Sequence, residues 1–293
     1  MAGGILLVLL STGAIEAHAE SVNGAKPLTV KQLPNKQVPK RIHSSELIRE
    51  KFSVGVGSHF SHGEYNTNAA TNIVSSPLRL GYSRSNWSVS AQIPYLYITG
   101  PASVISINNG TEFIETRAEG KRQRWGNGDL SLSGQYQLPK SFSASSRLHL
   151  GSTIKVPVAS DKADLGSGEF DYSLFGGAYI RKGRWVNNGR AGYQLMGDSS
   201  KTNYNNRWFA SLGAYYLFNR AYSAGFSAYF KQAATKNSEP VRTASTFITW
   251  RLPKGLRCNF SIGAGLSESS ADVFGGVQIT KTFVRKRRIA SSK

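Results

Sequence analysis

The feature that most constrains the fold is a strict alternation of apolar and other residues along most of the chain. Between Trp208 and Phe218 every second residue is apolar, and Tyr222 to Phe230 repeats the pattern. The residues between them are mainly glycine, serine and tyrosine. A period of two places successive side chains on opposite faces of an extended chain. The pattern therefore predicts strands with two unlike faces and argues against helices.

Twelve such runs follow one another from Phe52 towards the C-terminus. Each has about 10 to 15 residues, and a tilted strand needs about 9–11 residues to cross a bilayer. The runs are therefore long enough to span a membrane. They cover residues 52–61, 73–83, 87–98, 128–138, 147–158, 170–181, 185–196, 207–218, 221–231, 242–252, 256–267 and 270–283.

The connections between the runs alternate between short and long, and Pro101–Asn127 is the longest. An even number of strands with the short turns at one end is the layout of a bacterial outer-membrane barrel. The sequence therefore predicts an all-β protein, a transmembrane antiparallel up-and-down β-barrel of about 12 strands. Its apolar register faces lipid, its polar register faces the lumen, and aromatic side chains form girdles at the two interfaces. The expected girdle residues are Trp87, Tyr95, Tyr97, Trp208, Phe218, Tyr222, Trp250 and Phe283.

A soluble sandwich of two sheets is the alternative fold, because it also alternates. A soluble surface, however, usually carries more charge than the 18% of charged residues found here.

The N-terminal residues predict export. A short apolar core, Ile5–Leu10, precedes Ala17-His18-Ala19, which has the pattern of a signal-peptide cleavage site. The core is too short to span a bilayer as a helix. No Lys or Arg precedes it, which leaves the translation start open. A buried N-terminal element is the alternative to a signal peptide. We expect a signal peptide at 1–19, a flexible basic periplasmic arm at 20–51, the barrel at 52–283 and a basic C-terminal tail at 284–293.

The charge balance favours anionic surroundings. The chain has 36 basic and 17 acidic residues, a formal net charge of +19. The basic residues are dispersed over hairpin ends and the tail. This dispersal fits a rim that faces inner-leaflet lipids, with an ordinary solvated rim as the alternative, and it argues against a nucleic-acid partner. The single cysteine, Cys258, excludes an intrachain disulfide.

Charged residues in the polar register are the candidates for setting solute selectivity. Two interpretations stay open for them: an internal salt-bridge network that fixes the barrel, or a basic pathway that attracts small anions. The basic candidates outnumber the acidic ones, which favours anions. The candidates are His59, Arg79, Asp129, Lys155, Asp171, Arg190, Lys231 and Asp272.

The sequence offers little catalytic chemistry, and neither a cofactor nor a metal is expected. It has no Gly-rich phosphate loop, Cys/His metal spacing or nucleophile elbow. Asp161, Asp164 and Glu169 could hold Ca²⁺ through oxygens, although a solvated loop explains them better. His59 and Ser61 resemble the His-x-Ser pair of outer-membrane phospholipase A, also a twelve-stranded barrel. The pair lies in the lumen register, and no Asn is identifiable as the partner that orients the His. We therefore expect no enzyme.

Two stretches, Gly126–Leu138 and Lys155–Phe175, resemble a family of outer-membrane proteins named for the meta-pathway of phenol degradation. The first resembles the family's G-x-GD strand opening. Ala159-Ser160 replaces a family Gly in the second, so the turn there is expected to differ. The likeness extends over about residues 52–283. The residues that match in the second stretch are Lys155, Pro157, Asp161, Leu165, Gly166, Gly168 and Asp171.

The resemblance and the barrel pattern together imply a transporter in the outer membrane for passive uptake of small solutes, among them anionic or aromatic ones. A structural or adhesive barrel with a blocked lumen is the alternative, and a lipid hydrolase is a third. The expected partners are small-molecule solutes, the bilayer with lipopolysaccharide, and the barrel assembly machinery. That machinery recognises an aromatic residue at the end of the last strand, and Phe283 is in the right place for it. The loop Pro101–Asn127 is expected to fold inward and constrict the pore. Its charges are Glu112, Glu115, Arg117, Glu119, Lys121, Arg122 and Arg124.

Overall fold

The computed structural model describes residues 47–65, 69–108, 111–116, 122–139, 145–159, 165–197 and 203–288. The expected signal peptide and nearly all of the expected arm lie outside these residues. In the part described, no helix is long and apolar enough to cross a membrane.

The described chain consists of strands joined by turns and loops. The strands are β1 (Leu47–Gly63), β2 (Thr71–Arg84), β3 (Trp87–Gly100), β4 (Ala102–Asn108), β5 (Thr111–Thr116), β6 (Arg122–Asn127), β7 (Leu130–Gln137), β8 (Ser146–Val156), β9 (Asp171–Lys182), β10 (Trp185–Leu195), β11 (Arg207–Leu217), β12 (Tyr222–Lys231), β13 (Val241–Leu252), β14 (Leu256–Gly265) and β15 (Val273–Arg288).

The main sheet is antiparallel and closes on itself. β1 pairs with β2 on one side and with β15 on the other, while β3 pairs with both β2 and β7. The order around the wall is therefore β1, β2, β3 and then β7 to β15, which makes twelve strands. The predicted closed barrel of twelve strands is confirmed. Closure satisfies every edge, as lipid requires.

The fourth strand of the wall is interrupted. β3 pairs with β7 over Trp87–Gln92 and with β6 over Tyr95–Gly100. Gly128 and Asp129 lie at the break, where the Gly128 amide donates to the Pro94 carbonyl at 2.8 Å. β4 and β5 form a separate hairpin between β3 and β6. The alternation did not reveal this break, because it marks which way side chains face and not where a ladder is broken.

The two faces of the wall differ as the alternation predicts. On β2, Leu78 and Leu80 are 44% and 51% exposed, whereas Arg79 between them is 8% exposed. All eight expected girdle aromatics are exposed. Rings pair at both ends: Trp87 with Tyr136 at 4.6 Å near the short turns, and Tyr193 with Trp208 at 4.7 Å near the long loops. The outer surface is thus an apolar band between aromatic belts.

The first and last strands are longer than the alternation indicates. Their pairing continues from Phe52 and Phe283 to Leu47 and Arg288. Most side chains of these five extra pairs are basic. The segments therefore lack the apolar residue at every second position by which the other strands were predicted. The segments 47–51 and 284–288, expected as arm and tail, extend this strand pair at the short-turn end, and Glu50 and Lys51 also pair with β2. We call this extension the ribbon.

The lipid-facing wall has one described apolar depression, of about 650 Å³, across β1, β2, β3, β7 and β8. Small side chains form its floor, at Ala91, Gly134 and Ser152, and larger ones such as Phe52 and Tyr82 form its sides. A Cβ added at Gly134 would meet no atom within 4 Å. Gly134 therefore faces open space on the outer surface.

Candidate functional site

The structure places the eight candidate selectivity residues in three settings. His59 is half-buried on β1, where its ring covers Gly276 of β15. Asp272 is exposed in the loop before β15, which begins at Val273. This corrects the inward orientation expected for Asp272, because the period of two does not continue beyond the end of a strand. The other six are at most 8% exposed inside the barrel: Arg79, Asp129, Lys155, Asp171, Arg190 and Lys231.

Lys155 is the centre of a charged cluster near the long-loop end of the lumen. Its Nζ lies 3.0 Å from Oδ2 of Asp171 and 3.5 Å from Oδ2 of Asp129, and it also donates to Oγ of Ser167. The register produces this cluster, because Lys155 is directly opposite Asp171 on β9. The buried ammonium forms an ion pair with each of the two carboxylates, so none of the three groups is buried without a partner of opposite charge. These three residues therefore fit the interpretation as an internal salt-bridge network.

The network continues through two residues that sequence reasoning missed. Nε2 of Gln194 donates to Oδ2 of Asp171 at 3.2 Å, and Nη2 of Arg207 donates to Oε1 of Gln194 at 3.2 Å. Arg207 is fully buried. The alternation of β11 does place Arg207 in the lumen register, two periods of the pattern before Ser211. Arg207 is the first residue of its strand and follows a polar loop, so the pattern alone does not separate it from loop residues.

The two stretches that carry the family resemblance meet at this cluster. Asp129 of the first accepts a hydrogen bond from the amide of Ala159 at 3.2 Å. A Cβ at Gly166 would lie 2.6 Å from Oδ1 of Asp129. A Cβ at Gly126, whose φ is +149°, would lie 2.9 Å from Cδ1 of Leu165. Close approach thus explains Gly126 and Gly166, and Asp129 holds the second motif against the first.

Loop residues cover one part of the long-loop end of the lumen, and we call this end the mouth. Tyr65, Leu165 and Ala271 come from three different loops and pack on lumen-facing strand residues, each at most 2% exposed. A constriction was expected from Pro101–Asn127. Most charged side chains of this loop lie outside the described residues, so that expectation stays a prediction, and Ala102 of the loop belongs to the same packed group. We call this group the mouth cluster: Tyr65, Ile73, Leu96, Ile98, Ala102, Leu165, Ala271 and Phe274.

Arg79 and Arg190 differ from Lys155 in having no carboxylate partner among the described residues. Nη2 of Arg79 donates to Oε1 of Gln92 at 2.6 Å, and the guanidinium of Arg190 lies on the ring of Phe175. The buried charged side chains of the described part are five basic and three acidic. They are Arg79, Lys155, Arg190, Arg207 and Lys231, against Glu50, Asp129 and Asp171.

Ser61 of the His-x-Ser pair contacts a loop residue. The hydroxyl of Tyr65 donates to Oγ of Ser61 at 2.9 Å, so Ser61 is engaged by a loop residue. No group of three metal-binding side chains occurs among the described residues. Asp161 and Asp164, the calcium candidates, lie outside them.

The fold resembles solved outer-membrane channels. One is the COG4313 outer membrane channel from Pseudomonas putida F1, with a TM-score of 0.56 and 10% identity over 85% of this chain and 100% of that chain. Another is the KdgM porin, with a TM-score of 0.50 and 8% identity over 79% of this chain and 99% of the porin. At such identities the likeness establishes the fold, that of an outer-membrane barrel. No curated protein matches the chain.

A family model matches residues 107–283, which is more than half of the chain. The match includes both stretches in which the sequence resembles the family. The chain therefore belongs to the family described as "Putative MetA-pathway of phenol degradation".

Proposed function

We propose that this protein is an outer-membrane channel for the passive passage of small solutes. The observation that carries the proposal is the closed wall of twelve strands, apolar outside and lined inside with polar and charged side chains. Lipid does not require a charged interior, whereas a polar and charged interior provides a path for hydrated solutes. The channel and the porin that share the fold support the same function by analogy.

The solutes that fit best are small anions. The described part has five buried basic and three buried acidic side chains. One of the acidic ones, Glu50, lies near the short-turn rim and not beside the lumen cluster. An excess of positive charge in a narrow lumen raises the local concentration of anions.

Single-channel recording of purified, heat-modifiable protein in a planar bilayer tests the function. Discrete current steps, with a reversal potential in a KCl gradient that indicates anion preference, are expected. Steps with cation preference would keep the channel and remove the anion argument. Absence of current from correctly folded protein would contradict free passage.

A second candidate, a barrel whose lumen is closed at rest, is favoured by the mouth cluster. Its members are at most 3% exposed, so apolar packing fills this part of the mouth. The two candidates differ in one measurement. A closed barrel should conduct only after the mouth cluster is disrupted, whereas an open channel should conduct without any change.

A further inference from the structure

Arg190 lies on a built aromatic support inside the barrel. Its guanidinium carbon is 3.5 Å from the ring centroid of Phe175 and 5.2 Å from that of Phe209. The side chain is 8% exposed. Stacking on a ring fixes the plane of a guanidinium and leaves its N–H edge directed away from the ring.

Glycines on the neighbouring strands hold both rings in place. Gly151 is directly opposite Phe175, and Gly192 is directly opposite Phe209. A Cβ at these glycines would lie 2.4 Å from Cζ of Phe175 and 2.5 Å from Cζ of Phe209. Each ring therefore fills the space that a glycine leaves. The support of Arg190 is preformed by the register of four strands, β8 to β11.

The charge of Arg190 is uncompensated within the described residues. Its Nε is buried without a hydrogen-bond partner. Tyr179 and Tyr229 also lie near it, and both are uncharged phenols at neutral pH rather than carboxylates. A guanidinium has five N–H donors in a planar fork, and that fork matches a carboxylate. Lys155, by contrast, already has two carboxylates within 3.5 Å.

Arg79 repeats this situation on the other side of the lumen. It is 8% exposed, has no carboxylate partner among the described residues, and its Nε is also buried without a partner. Arg79 stands five residues before the short-turn end of β2, and Arg190 stands five residues after the short-turn end of β10. β10 is the fifth strand from β2 in one direction and the seventh in the other. The two arginines thus face the lumen from nearly opposite walls at a similar level.

We propose that Arg190, supported by Phe175 and Phe209, is a binding site for the carboxylate of a small organic anion, with Arg79 on the facing wall. The guanidinium binds the carboxylate in bidentate fashion. The inference deepens the proposed channel function by assigning its solute class, and it makes Arg190 rather than the Lys155 cluster the selective element.

Benzoate is the probe, and benzamide is the matched neutral probe. Titration calorimetry on the folded protein in detergent should give saturable binding of benzoate and none of benzamide. Arg190→Gln should weaken benzoate binding by about tenfold or more. Arg190→Lys retains the charge but not the planar fork, so it should be intermediate. Arg242→Gln removes a charge from an exposed side chain of β13 and should bind as the wild type does.

The same variants are then recorded in bilayers. Benzoate should reduce the chloride current of the wild type and of Arg242→Gln, and it should affect Arg190→Gln far less. Benzoate binding that is unchanged in Arg190→Gln, or equal binding of benzamide, would overturn the proposal. A wild type that binds benzoate but carries no current would contradict the channel and leave the site supported. If Arg190→Gln does not fold, Arg190→Lys provides the decision, because binding equal to wild type in that variant would also overturn the proposal.

Discussion

At the scale of single residues, lumen-facing glycines determine where the interior rings lie. Five rings each stand directly opposite a glycine of the neighbouring strand, and a Cβ on that glycine would lie 2.1 to 2.6 Å from a ring atom. The rings therefore lie against the wall instead of projecting across the lumen. The pairs are His59 with Gly276, His149 with Gly177, Phe175 with Gly151, Phe209 with Gly192, and Phe274 with Gly263.

Replacing one of these glycines should destabilise the barrel. In Gly263→Ala the new Cβ would lie 2.2 Å from Cζ of Phe274 and 2.6 Å from the Ala244 carbonyl oxygen, so ring and backbone must both move. We expect a loss of about 1–3 kcal/mol in the free energy of unfolding. Gly134→Ala, on the outer face, should change it by less than about 0.5 kcal/mol. Urea unfolding in micelles, followed by tryptophan fluorescence, measures both; equal midpoints would contradict the explanation.

Lys155 should be important for stability, because it forms ion pairs with two buried carboxylates. Lys155→Met leaves Asp129 and Asp171 without their cation and should cost about 3–5 kcal/mol. Lys182→Met, at an exposed position on β9, should cost little. The same unfolding assay compares the two variants. A small loss in Lys155→Met would mean that other groups or water compensate the carboxylates.

At the scale of elements, the loop between β8 and β9 is the part of the mouth that the interior holds most firmly. Three contacts fix it: Ala159 to Asp129, Ser167 to Lys155, and Leu165 within the mouth cluster. A loop tied to the lumen wall at three positions is placed to control access, whereas a solvated loop is not.

Disrupting this loop should therefore open the mouth. Leu165→Ser removes an apolar side chain that is 1% exposed and should increase single-channel conductance. Deleting Asn108–Arg124 tests the loop that the sequence indicated instead. If conductance increases only in the deletion variant, the constriction lies in that loop and not at Leu165. If conductance increases in neither variant, the constriction lies deeper in the lumen.

The elements also show what alternation can and cannot predict. It predicted the strand number and the facing of Arg79 and Lys155, because one buried register must repeat along each strand. It could not predict that Leu165 enters the mouth, because a loop has no periodicity. Nor could it separate paired from unpaired charges. Lys155 and Arg190 have the same pattern in sequence, and only the identity of the residue opposite distinguishes them: Asp171 for Lys155, Gly177 for Arg190.

At the scale of the whole molecule, the closure of the wall depends on β1 and β15. Their pairing is continuous from Leu47 with Arg288 to His62 with Val273. The basic ribbon at its end lies beyond the apolar band, so it contributes to the rim and little to closure.

Two truncations separate these contributions. Removing residues 284–293 loses only the five pairs of the ribbon and should leave a heat-modifiable barrel. Removing residues 274–293 deletes nearly all of β15, exposes the edges of β1 and β14, and should abolish the compact band in unheated gels. Loss of the compact band in the shorter truncation would show that the ribbon is required for folding.

The pairing of the first and last strands, β1 and β15, also determines the order in which the strands of the wall can pair. β1 and β15 are separated by more than 200 residues, and contacts between such distant segments form slowly. Hairpins such as β11 with β12 can form from local residues alone, but β1 must keep an unpaired edge until the chain has been made and delivered in full. The first strand of this wall is thus exposed to wrong partners for longest, and the last one determines when that exposure ends.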